Sequence, residues 1–154
     1  MIKILFLCHG NICRSPMAQF IFSNLAQKQG LADKFQVDSA AVTMDEIGPA
    51  GFGSPLDPRT VRELEKNHIP YQSRNARIMT REDYQQFDYL ICMDEENFLD
   101  MNRIAGGDPK HKEYKLLQFT GSSADIDDPW YTGDFTTAFK QIKQGCQALL
   151  EKLR

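Results

Sequence analysis

The 154-residue sequence has no long apolar run, no marked excess of either charge and only three histidines, and each shortage removes a class of function. With 18 basic against 21 acidic side chains, a formal charge of −3 and a pI near 5.6, no global field favours nucleic acid or an anionic membrane. Any anion must therefore be captured locally. The opening apolar stretch, Met1 to Leu7, carries Lys3 near its middle and is too short for a signal-peptide core or a membrane span. It reads as a strand, and a cytoplasmic chain is expected. Cys8, Cys13, Cys92 and Cys146 occur without a secretion signal, which argues against a disulfide framework. Cys8 and Cys13 are not at a zinc-knuckle spacing and no second pair follows, so neither a metal nor a cofactor is expected. Repeats, linkers and low-complexity tracts are also lacking. What is present, 42% apolar and 10% aromatic residues, is the composition of one folded domain over residues 1–154, expected to be a monomer.

Ile2 to Leu7 reads as a buried parallel strand, followed almost at once by a helix for which Ser15 is the expected cap and Pro16 the first position. Ala18, Ile21, Phe22 and Leu25 form its apolar face before Gly30 closes it. Phe35 to Ala40 is a second strand, and Ala41 to Leu56, rich in Gly and Pro, a long surface loop. Asp57-Pro58 starts a helix whose buried stripe is expected to include Val61, Leu64 and His68. Thr80 and Asp83 have the spacing of a capping box for a short helix to Gln86. Asp88 to Met93 is a third strand, Asp94 caps a helix to about Ala105, and Lys115 to Phe119 is a fourth strand. Asp134 caps a final helix with Phe135, Ala138, Phe139, Ile142, Cys146, Leu149, Leu150 and Leu153 on one face. Alternating strands and helices predict an α/β fold with a parallel sheet and helices on both faces.

In such sheets ligands sit beyond the carboxyl ends of the strands, where the segment Cys8-His9-Gly10-Asn11-Ile12-Cys13-Arg14-Ser15 is expected to lie. It places a thiol at a strand end and a guanidinium where a helix begins. Inward-turned amides, the helix start and the planar fork of Arg14 suit a phosphate, and Gly10 and Asn11 suit the left-handed backbone of a tight wrap. The same positive field should stabilise the thiolate of Cys8, the form that attacks phosphorus, with Ser15 able to donate to the sulfur. The reaction also needs an acid for the leaving oxygen. Asp128, followed by Pro129, is preferred to Asp127, and Trp130 and Tyr131 can wall an aromatic cleft.

These segments, CHGNICRSPMA at the start, VDSAA around Ser39, FDYLICMDEEN and DDPWYTGDF, make nearly the whole chain resemble the low-molecular-weight protein tyrosine phosphatases. The resemblance implies a four-stranded parallel sheet with a phosphate-binding loop after the first strand. It implies hydrolysis of phosphotyrosine in proteins, or of aryl phosphates, through a phospho-cysteine. Cys8 would be the nucleophile, Arg14 the phosphate clamp, Asp128 the general acid and then base, and Ser15 the partner of the thiolate. Asn11 and Ser39 match the family's loop-bracing pair. Cys13 matches its second loop cysteine, implying a reversible Cys8–Cys13 disulfide that shields the nucleophile.

The sequence departs from the family pattern in two places. Asp45 aligns where many members carry an aromatic cleft residue, with Phe52 as a stand-in, and the bracing histidine of many members is missing near Ser73 and Arg74. Arg74 and Arg77 read as surface charges, and His9 as a donor through its backbone. Two alternatives share the fold. A thioredoxin-coupled arsenate reductase would need a resolving cysteine pair in mid-chain, where Cys92 stands alone. A phosphoarginine phosphatase would carry a small polar residue where this chain has Ile12.

Overall fold

The computed structural model describes all 154 residues. Strands β1 (Ile2–Cys8), β2 (Phe35–Ala41), β3 (Tyr89–Cys92) and β4 (Glu113–Lys115) form one all-parallel sheet in the order β2-β1-β3-β4. Six helices accompany it: α1 (Arg14–Lys28), α2 (Pro58–Lys66), α3 (Arg81–Gln86), α4 (Glu95–Ala105), α5 (Pro129–Thr132) and α6 (Phe135–Leu153). The connection from β1 leads to one side of the sheet while β3 and β4 lie on the other. The carboxyl end of β1 is therefore the place where strand order reverses and a crevice opens.

β1 is buried on both faces, and its alternation divides the core in two. Ile4, Phe6 and Cys8 face α1 and α6, where Phe22 packs between Phe6 and Phe35 with ring centres 6.1 and 5.1 Å away. Leu5 and Leu7 face the opposite layer, built on Tyr84 of α3 and Met101 and Ala105 of α4. The predicted parallel sheet with helices on both faces is what forms. The capping predicted for the later helices forms as well. Asp57, Asp94 and Asp134 accept from the amides of Arg59, Asn97 and Thr137, and the Thr80 amide donates to Asp83 Oδ2 at 2.8 Å.

Three local expectations are corrected. The first helix starts two residues early, at Arg14, and Ser15 does not cap it; its hydroxyl turns back toward Cys8. His68 is exposed and lies beyond α2. With φ at 58° it turns the chain so that Ile69 is the residue that goes inside, its amide bonded to the Leu64 carbonyl at 2.9 Å. The fourth strand covers Glu113–Lys115, and Leu116–Thr120 is a 3-10 turn. Leu116 and Leu117 are both buried in the same core, and adjacent side chains on a strand would point to opposite faces.

The loop Ala41 to Leu56 is folded back by an isolated bridge between Ile47 and Gly53, and a Cβ on Gly53 would strike the backbone of Ala76. Gly145 in α6 meets a comparable limit, since a Cβ there would overlap Leu116, which is fully buried. Helix propensity alone predicts that Gly145→Ala stabilises by about 1 kcal/mol. Overpacking against Leu116 should reverse the sign, lowering stability by about 1–3 kcal/mol. A urea midpoint below that of the parent, with unchanged slope, is the expected result.

Candidate active site

Cys8 ends β1, and the chain wraps around its sulfur before α1 begins. The amides of Asn11 and Ser15 point at Sγ from 3.3 and 3.4 Å, and Ser15 Oγ lies 3.1 Å away. Asn11 makes the wrap possible by adopting φ of 62°, a left-handed conformation that Asn tolerates better than most residues. These donors converge on the sulfur of Cys8, a residue that is only 3% exposed.

Arg14, the first residue of α1, is 1% exposed and its guanidinium is fixed on one edge. Nη1 donates to Asp94 Oδ2 and to the Ile126 carbonyl, each at 2.7 Å, while Nη2 sits 3.4 Å from Asp128 Oδ2. Burial works against the charge, but Cys8, Asp128 and Asp94 outweigh it and raise the pKa of the guanidinium. Asp128 is the N-cap of α5, accepting from the Trp130 amide at 3.1 Å, and it lines the same cleft as Cys8 and Arg14. Asp127 is exposed and stands outside that cleft. Asp94 was legible only as a helix cap. Its second oxygen holds Arg14, and the position of FDYLICMDEEN at a strand end was the available signal.

Behind the loop, the side-chain amide of Asn11 is fully used. Nδ2 donates to Ser15 Oγ at 2.8 Å and Ser39 Oγ at 3.0 Å, and Oδ1 accepts from Arg74 Nη2 at 2.8 Å and the Arg77 amide at 3.2 Å. Arg74 also donates through Nη1 to Ser39 Oγ and through Nη2 to the Ser39 carbonyl at 3.2 Å. Ser39 in turn donates to Gln19 Oε1 at 2.7 Å. Arg74 and Arg77 are therefore not surface charges. Arg74 thus braces the loop in a chain without the histidine expected near it, its pKa lowered by burial against the opposing pull of Asp38. Arg77 is paired with Asp38 and Asp83 at 3.0 and 3.1 Å.

His9 contributes its side chain to the rim, with Nε2 2.5 Å from Asp45 Oδ2. Asp45, Glu46, Trp130 and Tyr131 line the cleft together with His9. Phe52, 76% exposed, is not among the lining residues, so it does not stand in for the aromatic side chain. Gly10, Ile12 and Cys13 line the floor beside Cys8. Cys13 lies 3.9 Å from Asp57 Oδ2, and burial pushes its thiol well up. Cys92 is inside β3 and Cys146 inside the α6 core, both raised by burial. Amides and a guanidinium are donors for an oxyanion, and no three side chains are grouped as metal ligands.

Comparison with known proteins gives this geometry a context. The family described as low molecular weight phosphotyrosine protein phosphatase matches residues 3–154. A Bacillus subtilis low molecular weight protein-tyrosine-phosphatase, YfkJ, is 40% identical over all of this chain and 97% of its own. The crystal structure of YfkJ superposes with a TM-score of 0.89, covering 99% of this chain and 94% of that one. The human low molecular weight phosphotyrosine protein phosphatase is 39% identical over 97% of this chain and 94% of its own. A Drosophila arginine phosphatase, 28% identical, superposes with a TM-score of 0.84 over 99% of this chain and 98% of its own.

Removing Arg74 would strand one lone pair of Asn11 and part of Ser39. Arg74→Ala is expected to cost about 1–3 kcal/mol of stability. Titration calorimetry should also show weaker inorganic phosphate binding than in the parent, because the amides it meets are no longer held. Unchanged phosphate affinity would detach Arg74 from the loop.

Proposed function

Because the chain belongs to the low molecular weight phosphotyrosine protein phosphatases, we propose that it hydrolyses phosphotyrosine through a phospho-cysteine, with Cys8 as nucleophile, Arg14 as phosphate clamp and Asp128 as general acid and then base. The observation that carries the reading is the convergence of Cys8, Arg14 and Asp128 on one cleft, at the sheet position where strand order reverses.

The Cys8 thiolate attacks phosphorus while the loop amides and Arg14 hold the equatorial oxygens, where charge spreads in the transition state. The bond to the aryl oxygen breaks as Asp128 delivers a proton to it, leaving a neutral phenol and a phosphorylated sulfur. Asp128, now a carboxylate, takes a proton from the water that attacks phosphorus, and the sulfur departs as the thiolate. Hydrogen bonds from Ser15 and from the amides of Asn11 and Ser15 lower the cost of that departure.

Cys8 lies at the bottom of a cleft whose mouth carries Trp130 and Tyr131, 50% and 77% exposed. An aryl ring spans that depth and meets aromatic surface on the way, which favours phosphotyrosine over the shorter phosphoserine. Ile12 on the floor adds apolar bulk in the same sense. A second reading, phosphoarginine, is favoured by Asp45 and Glu46 in the cleft lining, which would suit a guanidinium, and by the likeness to the Drosophila arginine phosphatase. Arsenate reduction is disfavoured, because Cys92 and Cys146 are buried away from the cleft. Cys13, beside Cys8 on the floor, is the one partner for a protective disulfide, a role that suits a reducing compartment such as the cytoplasm.

Cys8→Ser should abolish turnover of 4-nitrophenyl phosphate while phosphate binding stays measurable. Asp128→Ala should slow phenyl phosphate by about 100-fold or more in kcat/KM and a better leaving group far less. Turnover retained by Cys8→Ser would remove the nucleophile assignment. In a panel of phosphorylated peptides, phosphotyrosine should give the highest kcat/KM, with Trp130→Ala raising KM for it more than for a small alkyl phosphate. A higher value for phosphoarginine would reverse the substrate reading and leave the mechanism standing.

A further inference from the structure

Arg59 has no part in the chemistry described so far, yet it stands between the two segments that carry it. It lies in the first turn of α2, and its guanidinium carbon is 5.3 Å from the centre of the Trp130 ring and 4.7 Å from that of Phe135. The edge of the same group grips Asp57, with Nε 3.1 Å from Oδ1 and Nη2 2.9 Å from Oδ2. Asp57 is 5% exposed and belongs to the underside of the phosphate-binding loop. Its amide donates to the Ile12 carbonyl at 3.1 Å, and Thr60 Oγ1 reaches the same carbonyl at 3.0 Å. On the far side, the amide of Trp130 donates to Asp128 Oδ1.

We infer that Arg59 is a positioning residue, which clamps Trp130 to Asp57 and so sets the Asp128 carboxylate at a fixed distance from the phosphate-binding loop. The inference rests on Asp128 being the acid.

The segment around Asp128 has few fastenings of its own. Ile126 and Pro129 are buried, but α5 is only four residues long, its Trp130 is half exposed and its Tyr131 largely in solvent. Without the clamp, the Asp128 carboxylate would keep only its cap bond and Arg14, and its segment would be anchored from one side, at Ile126, whose amide donates to the Met93 carbonyl at 2.9 Å. The task suits arginine and not lysine. A planar guanidinium offers two donors in its plane to a carboxylate while its face rests on a ring, whereas an ammonium is a point charge with no face. An ordinary exposed ion pair would fasten little, but here the carboxylate is buried and two rings lie against the cation.

A displaced acid should slow the step in which the leaving oxygen needs its proton and spare the rest. In Arg59→Ala, kcat/KM for phenyl phosphate should fall by about tenfold, while that for 2,4-dinitrophenyl phosphate, whose phenolate leaves unaided, should change by less than about twofold. The inhibition constant of inorganic phosphate should stay near that of the parent. Trp130 is the only tryptophan in the chain, so acrylamide quenching reads the clamp directly and should increase. Arg59→Lys should move both readouts in the same direction, and it carries the test if the alanine variant does not fold. Equal losses on both substrates, or quenching that does not change, would overturn the inference. Asp128→Asn, measured alongside, separates the two failures. If it lacks the leaving-group dependence the acid assignment falls, and if it shows the dependence and the Arg59 variants do not, only the clamp falls.

Discussion

The side-chain amide of Asn11 holds the loop in a shape its backbone would not keep unaided. At φ of 62° the residue is in a left-handed conformation, and that turn aims its own amide at the Cys8 sulfur. Four hydrogen bonds to the side chain, from or to Ser15, Ser39, Arg74 and the Arg77 backbone, fasten the conformation from behind. Because the amide is buried, any one of those partners lost leaves one of its hydrogens or lone pairs unpaired, so the four bonds support one another. The direction of Ser15 Oγ follows from it, and so does the start of α1 that delivers Arg14.

A second regularity links the fold to the cleft. Three helices, α2, α4 and α5, begin beside the loop, and each is capped by an aspartate that also meets an arginine. Asp57 meets Arg59, Asp94 meets Arg14, and Asp128 meets Arg14 from the other side. Capping satisfies orphan amides at the helix start, and the second oxygen is then free to orient a cation. Structural and site-building demands thus fall on the same side chains, which makes these positions poor candidates for neutral substitution.

This double use explains what was legible beforehand and what was not. Asp57, Asp94 and Asp134 could be read as caps because capping is a local event, decided within three residues. That Asp94 also holds Arg14 depends on a separation of 80 residues, which only the sheet closes. Arg74 and Arg77 looked like surface charges for the same reason, since their partners Asn11, Ser39 and Asp38 come from other strands and loops. The thiol, guanidinium and carboxylate could be proposed together because a tight loop and an Asp-Pro-aromatic triplet carry their chemistry in adjacent residues, and the fold brings all three to one cleft. The end of β4 was misplaced where tertiary packing, two neighbouring leucines on one core, overrode a strand-like pattern.

Arg74 changes the kind of support that lies beneath the loop. An imidazole in that place would gain and lose a proton near neutrality, so the scaffold would differ between mildly acid and mildly basic media. A guanidinium keeps its charge throughout that range even when burial lowers its pKa. The brace beneath the pocket thus carries the same charge on either side of neutrality.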